Sequence, residues 1–301
     1  MINQYKRQDI FRCTHDAHSK LGHHVSVYHT MFRKGCFPDG CTYFRWKCNE
    51  LERKKKCYRG FSHVGKKCFG CKFFDEEKFT RSLVKTDPDH YQNFLDDLYE
   101  FEEWLRDYEN KEHWCMGAIS SVKPHLKRSL YGGSPDNPKQ EHTHLLGYLI
   151  GFADLYIHQT HFEDYTYAII GREFQNRLKF QKGDRLEFRA TVTMNEGRLV
   201  LQKLTQIRFT EKQEGDHWTD SRSLVARSTG NTLSHQAEKC YACDQGVLVD
   251  VLDRTSTEEN IYHRIFCLQG MPSAAACTYN TSKDIYGHSC SNRYYHIKTK
   301  P

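Results

Sequence analysis

Long apolar runs are missing from this chain: no stretch approaches about 18 consecutive apolar residues, so no membrane span is expected. The first residues, Met1-Ile2-Asn3-Gln4-Tyr5-Lys6-Arg7, carry none of the apolar core of a secretory signal. Hydrophobic residues make up only 38% of the chain, and no segment repeats at a fixed period. Catalytic signatures are absent as well. There is no Walker phosphate loop, no dinucleotide-binding glycine fingerprint, no nucleophile elbow and no His-Glu-x-x-His. Asp250 and Asp253 lie close in sequence, but nothing nominates a nucleophile with its base. No catalytic residue is expected, and the reading leans away from an enzyme.

What the chain does hold is aromatic rings, cysteines and separated charge. Its 301 residues suffice for two or three compact domains. With 18 Tyr and 18 Phe, either the core is rich in aromatics or some rings stand exposed as binding platforms. The net charge of +6 conceals two opposed blocks. From Glu52 to Lys72 there are eight bases against one acid; from Asp87 to Glu109 there are nine acids against Arg106 alone. Such blocks predict one surface for anionic partners and another that is solvated or docks onto something basic. The 13 cysteines are an odd number and no export signal accompanies them. Metal ligation in a reducing, cytoplasmic compartment is therefore expected, rather than a disulfide framework.

Four regions follow along the chain. Residues 1–80 are rich in Cys, His and bases and too poor in aliphatic residues to build much core, so metal cross-links would supply stability. Residues 81–112 hold an acidic amphipathic helix. Asp87 is a suitable N-cap and Pro88 a suitable first helical residue. Tyr91, Phe94, Leu95, Leu98, Phe101, Leu105 and Tyr108 then recur at helical spacing. Its acidic face, 88–109, could dock a protein partner. Residues 113–210 read as strands at 116–124, 145–157 and 165–170, a short helix at 172–180, and strands at 184–193 and 198–209. Residues 211–301 open with a polar stretch, 210–238, predicted as a long loop, and continue into a Cys-containing segment.

The order strand, strand, strand, helix, strand, strand resembles the OB-fold, a partly open five-stranded barrel. Locally, Lys182-Gly183-Asp184-Arg185-Leu186-Glu187-Phe188-Arg189-Ala190 followed by Gly197-Arg198-Leu199-Val200-Leu201 looks like the helix-to-strand-four turn and the four–five hairpin of nucleic-acid-binding OB domains. Replication protein A and the anticodon-binding domains of aminoacyl-tRNA synthetases use similar patterns. The resemblance covers about a third of the chain and is one of fold. It implies a ligand lying across strands two and three, with rings stacking bases and cations tracking phosphates. The candidates are Tyr148, Phe152, Tyr156, Tyr165 and Tyr167, with Lys127, Arg128, Lys139 and Arg172 nearby. Strand side chains alternate faces, so about half of these rings could instead fill the barrel. Lys54, Lys55, Lys56, Arg59, Lys66 and Lys67 would add phosphate contacts.

Two cysteine groups have metal-ligand character. Cys68-Phe69-Gly70-Cys71 places a glycine where a tight turn aims two thiolates at one ion, and Cys48 and Cys57 are the nearest completing ligands, with Cys36 and Cys41 as alternatives. Cys240-Tyr241-Ala242-Cys243 opens the second group. Strands are predicted at 246–252 and 261–267, the outline of a zinc ribbon, with Cys267 and Cys277 completing it and Cys290 as an alternative fourth ligand. Cys267 is not part of a second CxxC, so a buried, metal-free cysteine pair is the competing account. Cys13, His15, His18, His23 and His24 cluster near the N-terminus and suit a solvated polar segment or metal ligation. The ion is expected to be Zn²⁺; an iron–sulfur cluster uses the same thiolates.

The fold expected is thus α+β, mainly β: an OB-fold-like barrel flanked by a Cys-rich metal-binding module, an acidic helix and a zinc-ribbon-like segment. The function expected is binding of single-stranded nucleic acid with structural zinc; an iron–sulfur protein acting in electron transfer or within a redox or modification complex is the alternative.

Overall fold

The computed structural model describes residues 1–12, 24–54, 56–133, 138–233, 240, 243–255 and 259–277. Two compact units emerge, Gln4–Glu100 and Phe101 onward, the latter joined by Met1–Asn3. The fold is mainly β with four α-helices among the described residues.

In the first unit β1 (Phe11–Arg12), β2 (His24–Val25) and β5 (Val84–Lys85) form a small antiparallel sheet, with Phe11 opposite both Val25 and Lys85. Phe11 is fully buried, and its ring packs at 5.7 Å from Phe37 and 5.9 Å from Phe94. An aromatic cluster thus replaces the aliphatic core that the composition cannot supply. Beneath it Asp9 is half-shielded. Burial opposes its ionisation, yet hydrogen bonds from Arg7 and His90 and the Arg7 charge hold the carboxyl at about 2. The unit also holds a two-stranded ribbon: β3 (Cys41–Cys48) pairs antiparallel with β4 (Phe74–Arg81) over its whole length, and α1 (Asn49–Lys54) follows β3.

The long helix α2 (Pro88–Tyr108) starts where the sequence predicts, with the Asp87 carboxylate accepting the His90 N–H at 3.0 Å. Phe94, Leu98, Phe101, Trp104 and Leu105 are its buried side chains. Asp89, Asp96, Asp97, Glu100, Glu103 and Asp107 stand on the exposed side, as the amphipathic pattern requires.

The second unit is built on one large sheet. Its strands are β6 (Glu112–Ala118), β7 (Ser121–Tyr131), β8 (Gln140–Phe152), β9 (Leu155–Ile157), β10 (Thr160–Phe162), β11 (Thr166–Ile170), β12 (Arg185–Asn195), β13 (Arg198–Glu211), β14 (Asn231–Thr232), β15 (Gly246–Arg254) and β16 (Asn260–Cys267). Helix α3 (Arg172–Leu178) joins β11 to β12, and α4 (Asp220–Thr229) follows β13. The strands lie in the order β10-β9-β6-β12-β13-β11-β8-β7-β15-β16-β14. Within this row the run β6-β12-β13-β11-β8-β7 begins and ends on consecutive stretches of chain, because only Ile119 and Ser120 separate β6 from β7. Every pairing in the run is antiparallel except β11 with β13, which is parallel.

At that junction the backbone changes partners within one residue. Ile119 N–H donates to the Asp184 carbonyl and its own carbonyl accepts from Gly183, both at 2.8 Å, whereas Ser120 N–H donates to the Gly151 carbonyl at 2.8 Å. The β12 side is held through Asp184, whose carboxylate is fully buried. It accepts from Gln181 N–H at 3.0 Å, Gln213 N–H at 2.8 Å and the Lys212 ammonium at 2.7 Å. Farther along, β8 approaches the end of β11 so closely that any Cβ at Gly147 would collide with the Ile170 carbonyl, so only glycine fits there. Leu186, Phe188, Ala190 and Val192 form the buried face of β12, and Phe188 stacks on Phe152 of β8 at 5.7 Å.

Three sequence expectations change. The strand predicted over 145–157 starts earlier and divides, because β9 leaves β8 and turns to pair with β6. The strand predicted from 116 is broken at the partner exchange. The polar stretch 210–238 is not all loop: Thr219 caps α4, whose Ala226 packs with Leu126, Val247, Val249, Phe266 and Leu268. The predicted pair at 246–252 and 261–267 is present as the β15–β16 hairpin, and β15 also adds in parallel to β7, with Asp250 opposite Lys127.

Removing the Asp184 carboxylate strands the N–H groups of Gln181 and Gln213 and a lysine beside the strand junction. Asp184→Ala is expected to cost about 3 kcal/mol or more, read as a lower denaturant midpoint, with Asp184→Asn less damaging. An unchanged midpoint for Asp184→Ala would remove this residue from the account of the junction.

Candidate metal centres and nucleic-acid surface

The first unit's cysteines fall into two groups at opposite ends of the β3–β4 ribbon. Cys41 begins β3 and Cys48 ends it, about 23 Å away at 3.3 Å per residue. Cys36 and Cys41 are buried with their sulfurs 3.1 Å apart. They therefore belong together at one end and do not serve as alternative partners of the Cys68/Cys71 turn. That turn sits at the other end, beside Cys48, which lies opposite Phe74.

Two turns of similar build lie between β3 and β4, and the Tyr58 hydroxyl of one reaches the Cys71 sulfur of the other. In Cys68–Cys71 the Cys71 N–H returns to the Cys68 carbonyl at 3.0 Å and Gly70 adopts φ +76°, the left-handed conformation that glycine allows. In Cys57–Gly60 the Gly60 N–H returns to the Cys57 carbonyl at 2.9 Å, and the Cys57 sulfur accepts the Arg59 N–H at 3.4 Å. The backbone N–H of Phe73 lowers the Cys71 thiol below its ordinary range. Partial desolvation opposes this shift, while the Tyr58 hydroxyl, 3.8 Å from the sulfur, and the Arg59 charge reinforce it. Donors aimed at sulfur favour the thiolate, the form that binds metal.

In the second unit Cys240, Cys243, Cys267 and Cys277 line one narrow cavity together with Leu233, Met271 and Ala274. Its free volume, about 20 Å³, is room for a single water-sized particle. Hairpin register explains the gathering. Gly246 at the start of β15 lies opposite Cys267 at the end of β16, so the segments before and after the hairpin emerge side by side. The Cys243 sulfur accepts the Gln245 N–H at 3.4 Å, and a side chain at Gly246 would strike the Cys240 carbonyl. Burial raises the Cys243 thiol, opposed by that N–H and by the Lys123 charge. Lys123, on β7, is half-buried. Its ammonium donates to the Cys243 and Gly246 carbonyls at 2.7 and 2.8 Å, and burial lowers it to about 8. Among the described residues no three Cys, His, Asp or Glu side chains converge as a finished ligand set. Lys55, Cys290, Cys13, His15, His18 and His23 lie outside the described residues, and of Lys54 and His24 only the backbone is described.

The candidates on the large sheet divide. Tyr148 is a correction: it is fully buried, donating to Asp220 at 3.0 Å and accepting from Ser223 at 3.1 Å, and cannot stack a base. Phe152 is core by its stack on Phe188. Tyr165 lies over Gly151 and bonds the Ser121 hydroxyl, and Tyr167 meets it edge-on at 5.1 Å beneath the Arg198 guanidinium. Tyr156 is 40% exposed but sits on β9 and stacks on His161 at 4.5 Å. Arg172 pairs with Asp220 at 2.6 Å, Arg128 with Glu141 and Thr232, and Lys127 is half-buried. Internal partners thus occupy most of what that surface could offer a ligand. No family model, no curated protein and no solved structure matches this chain.

The first unit differs. Lys56, Arg59, Lys66 and Lys67 are all exposed, as the basic block predicts. Sequence reasoning missed the rings among them: Phe44 is 55% exposed, Trp46 37% and Phe69 52%. The available signal was Phe44-Arg45-Trp46-Lys47, an aromatic–basic alternation at strand period.

The lowered Cys71 thiol has a consequence for alkylation. In chelator-treated protein, iodoacetamide modification of Cys71, followed by mass spectrometry, should persist to lower pH than that of an ordinary thiol. Cys115, which burial pushes up to about 12, should stay unmodified in the folded protein. Tyr58→Phe should move the Cys71 midpoint upward; no movement would show that the tyrosine does not bear on the thiolate.

Proposed function

We propose that this chain is a binding protein for single-stranded nucleic acid, in which residues 113–210 of the second unit form an OB-fold barrel and thiolate-held Zn²⁺ braces the cysteine-rich segments. The observation that carries the barrel reading is the strand run. One strand bends at Ile119–Ser120 and serves both β12 and β8, the third and fifth strands are parallel, and a helix lies between the third and fourth. An OB barrel needs that combination. Fold alone does not assign a ligand.

The ligand is argued from charge. Between Cys41 and Arg81 twelve lysines and arginines face five acids, and Lys56, Arg59, Lys66, Lys67 and Lys72 are exposed. Counterion release from phosphates gives such a surface sequence-independent affinity for nucleic acid. Zn²⁺ is argued from four thiols around one narrow cavity in the second unit and from N–H groups aimed at sulfur in both units. An ion held by four thiolates would be structural there.

Fluorescence anisotropy with labelled 20-nucleotide single strands of DNA and RNA tests the ligand. Affinity is expected to fall steeply between ~50 and ~200 mM salt, and binding indifferent to salt would refute the reading. Metal analysis and absorption spectroscopy on protein purified without oxygen test the centres. Stoichiometric zinc with no visible band is expected, and Cys243→Ser should lower the thermal midpoint and the zinc content together. Iron with labile sulfide and a broad visible band would establish the cluster alternative instead.

A further inference from the structure

We infer that the base-stacking platform of this protein is the Phe44–Trp46–Phe69 face of the N-terminal ribbon rather than the barrel. The inference rests on the nucleic-acid reading above and assigns its site.

Phe44 and Trp46 are two apart on β3 and so share one face, about 6.7 Å from each other along the strand. The Trp46 indole N–H donates to Glu76 on β4 at 2.7 Å, which fixes the ring's orientation while 37% of the residue stays exposed. Phe69, from the tip of the Cys68–Cys71 turn, stands edge-on to Trp46 at 5.0 Å, and Phe74 closes behind it at 5.2 Å. Trp46 and Phe69 are therefore pre-positioned, with Phe44 next to them on the same strand face, so binding costs them little side-chain entropy. Folded proteins do not usually gather such rings in water without a partner.

Charge selects the occupant. The residue opposite Phe44 is Lys78, and Lys66, Lys67 and Lys72 lie around the Phe69 turn, all exposed. Rings flanked by cations fit a single strand, whose bases stack while its phosphates meet lysines. A duplex, with its bases already stacked, gains only the phosphate contacts. The cysteine turns at this end of the ribbon then have a mechanical role: they hold Phe69 beside Trp46.

The test uses the full chain and labelled 20-nucleotide single strands of DNA and RNA. Phe44→Ala and Trp46→Ala should each weaken binding ~10-fold, and the pair roughly 100-fold, with the salt slope unchanged because no phosphate contact is removed. Phe44→Tyr with Trp46→Phe should retain most affinity, which separates lost stacking from lost folding. Photocrosslinking of the wild-type protein to iodouridine-containing strands should label the peptide bearing Phe44 and Trp46. Wild-type binding with unaffected alanine variants would overturn the platform and leave the proposed function standing. No binding by the wild-type chain would overturn both. A dimer in light scattering that Phe44→Ala/Trp46→Ala converts to monomer would assign this face to a second copy and overturn the inference.

Discussion

The second unit depends on one exchange of hydrogen-bond partners. Ile119 bonds toward β12 and Ser120 toward β8, so a single stretch of chain edges two different strands and must bend between them. The buried Asp184 carboxylate holds one side of that bend through two N–H groups and Lys212. A buried carboxylate this fully bonded is not a convenience, because leaving it or its donors unpaired costs several kcal/mol. Everything after the bend takes its position from it. β7 offers its other edge to β15, the β15–β16 hairpin brings Cys267 beside Gly246, and Lys123 of β7 donates to the carbonyls of the Cys243 turn.

The two units solve the same shortage by different means. Aliphatic side chains are few, and the second unit buries most of those described, with Phe152 and Phe188 stacked among them. The first unit has too few for that. It packs Phe11, Phe37, Tyr91 and Phe94 edge to face and leaves a two-stranded ribbon that holds little core of its own. A ribbon of that kind is marginal by itself, and metal held by the cysteines near its ends, as proposed above, would brace it. The same poverty of core leaves Phe44, Trp46 and Phe69 in water beside exposed lysines, the face to which binding is assigned above.

The distribution of ion pairs separates the two surfaces. On the large sheet Arg185, Arg189, Arg198 and Arg208 each face a carboxylate, as does Arg172 on α3. Their charge is largely compensated before any ligand arrives. Around the Cys57 and Cys68 turns the lysines have few acids nearby in sequence, so their field extends outward.

Local chemistry was legible in the sequence. Asp87 and Pro88 start the helix because capping is a property of adjacent residues, and the Cys68-Phe69-Gly70-Cys71 turn follows from the freedom of Gly70. The β15–β16 hairpin and the four cysteines that share its cavity could be read from strand period and spacing. Other features were not legible, because they depend on contacts distant in sequence. Tyr148 has the same alternation as an exposed ring, and only the arrival of α4 with Asp220 and Ser223 buries it. Cys36 and Cys41 match the Cys68 turn by spacing, yet a strand of eight residues holds them away. Sequence determined which residues can turn, cap, ligate or stack, since those abilities reside in side chains and their neighbours. Tertiary structure decided which of them meet, because strand pairing and burial are set by parts of the chain that no local pattern contains.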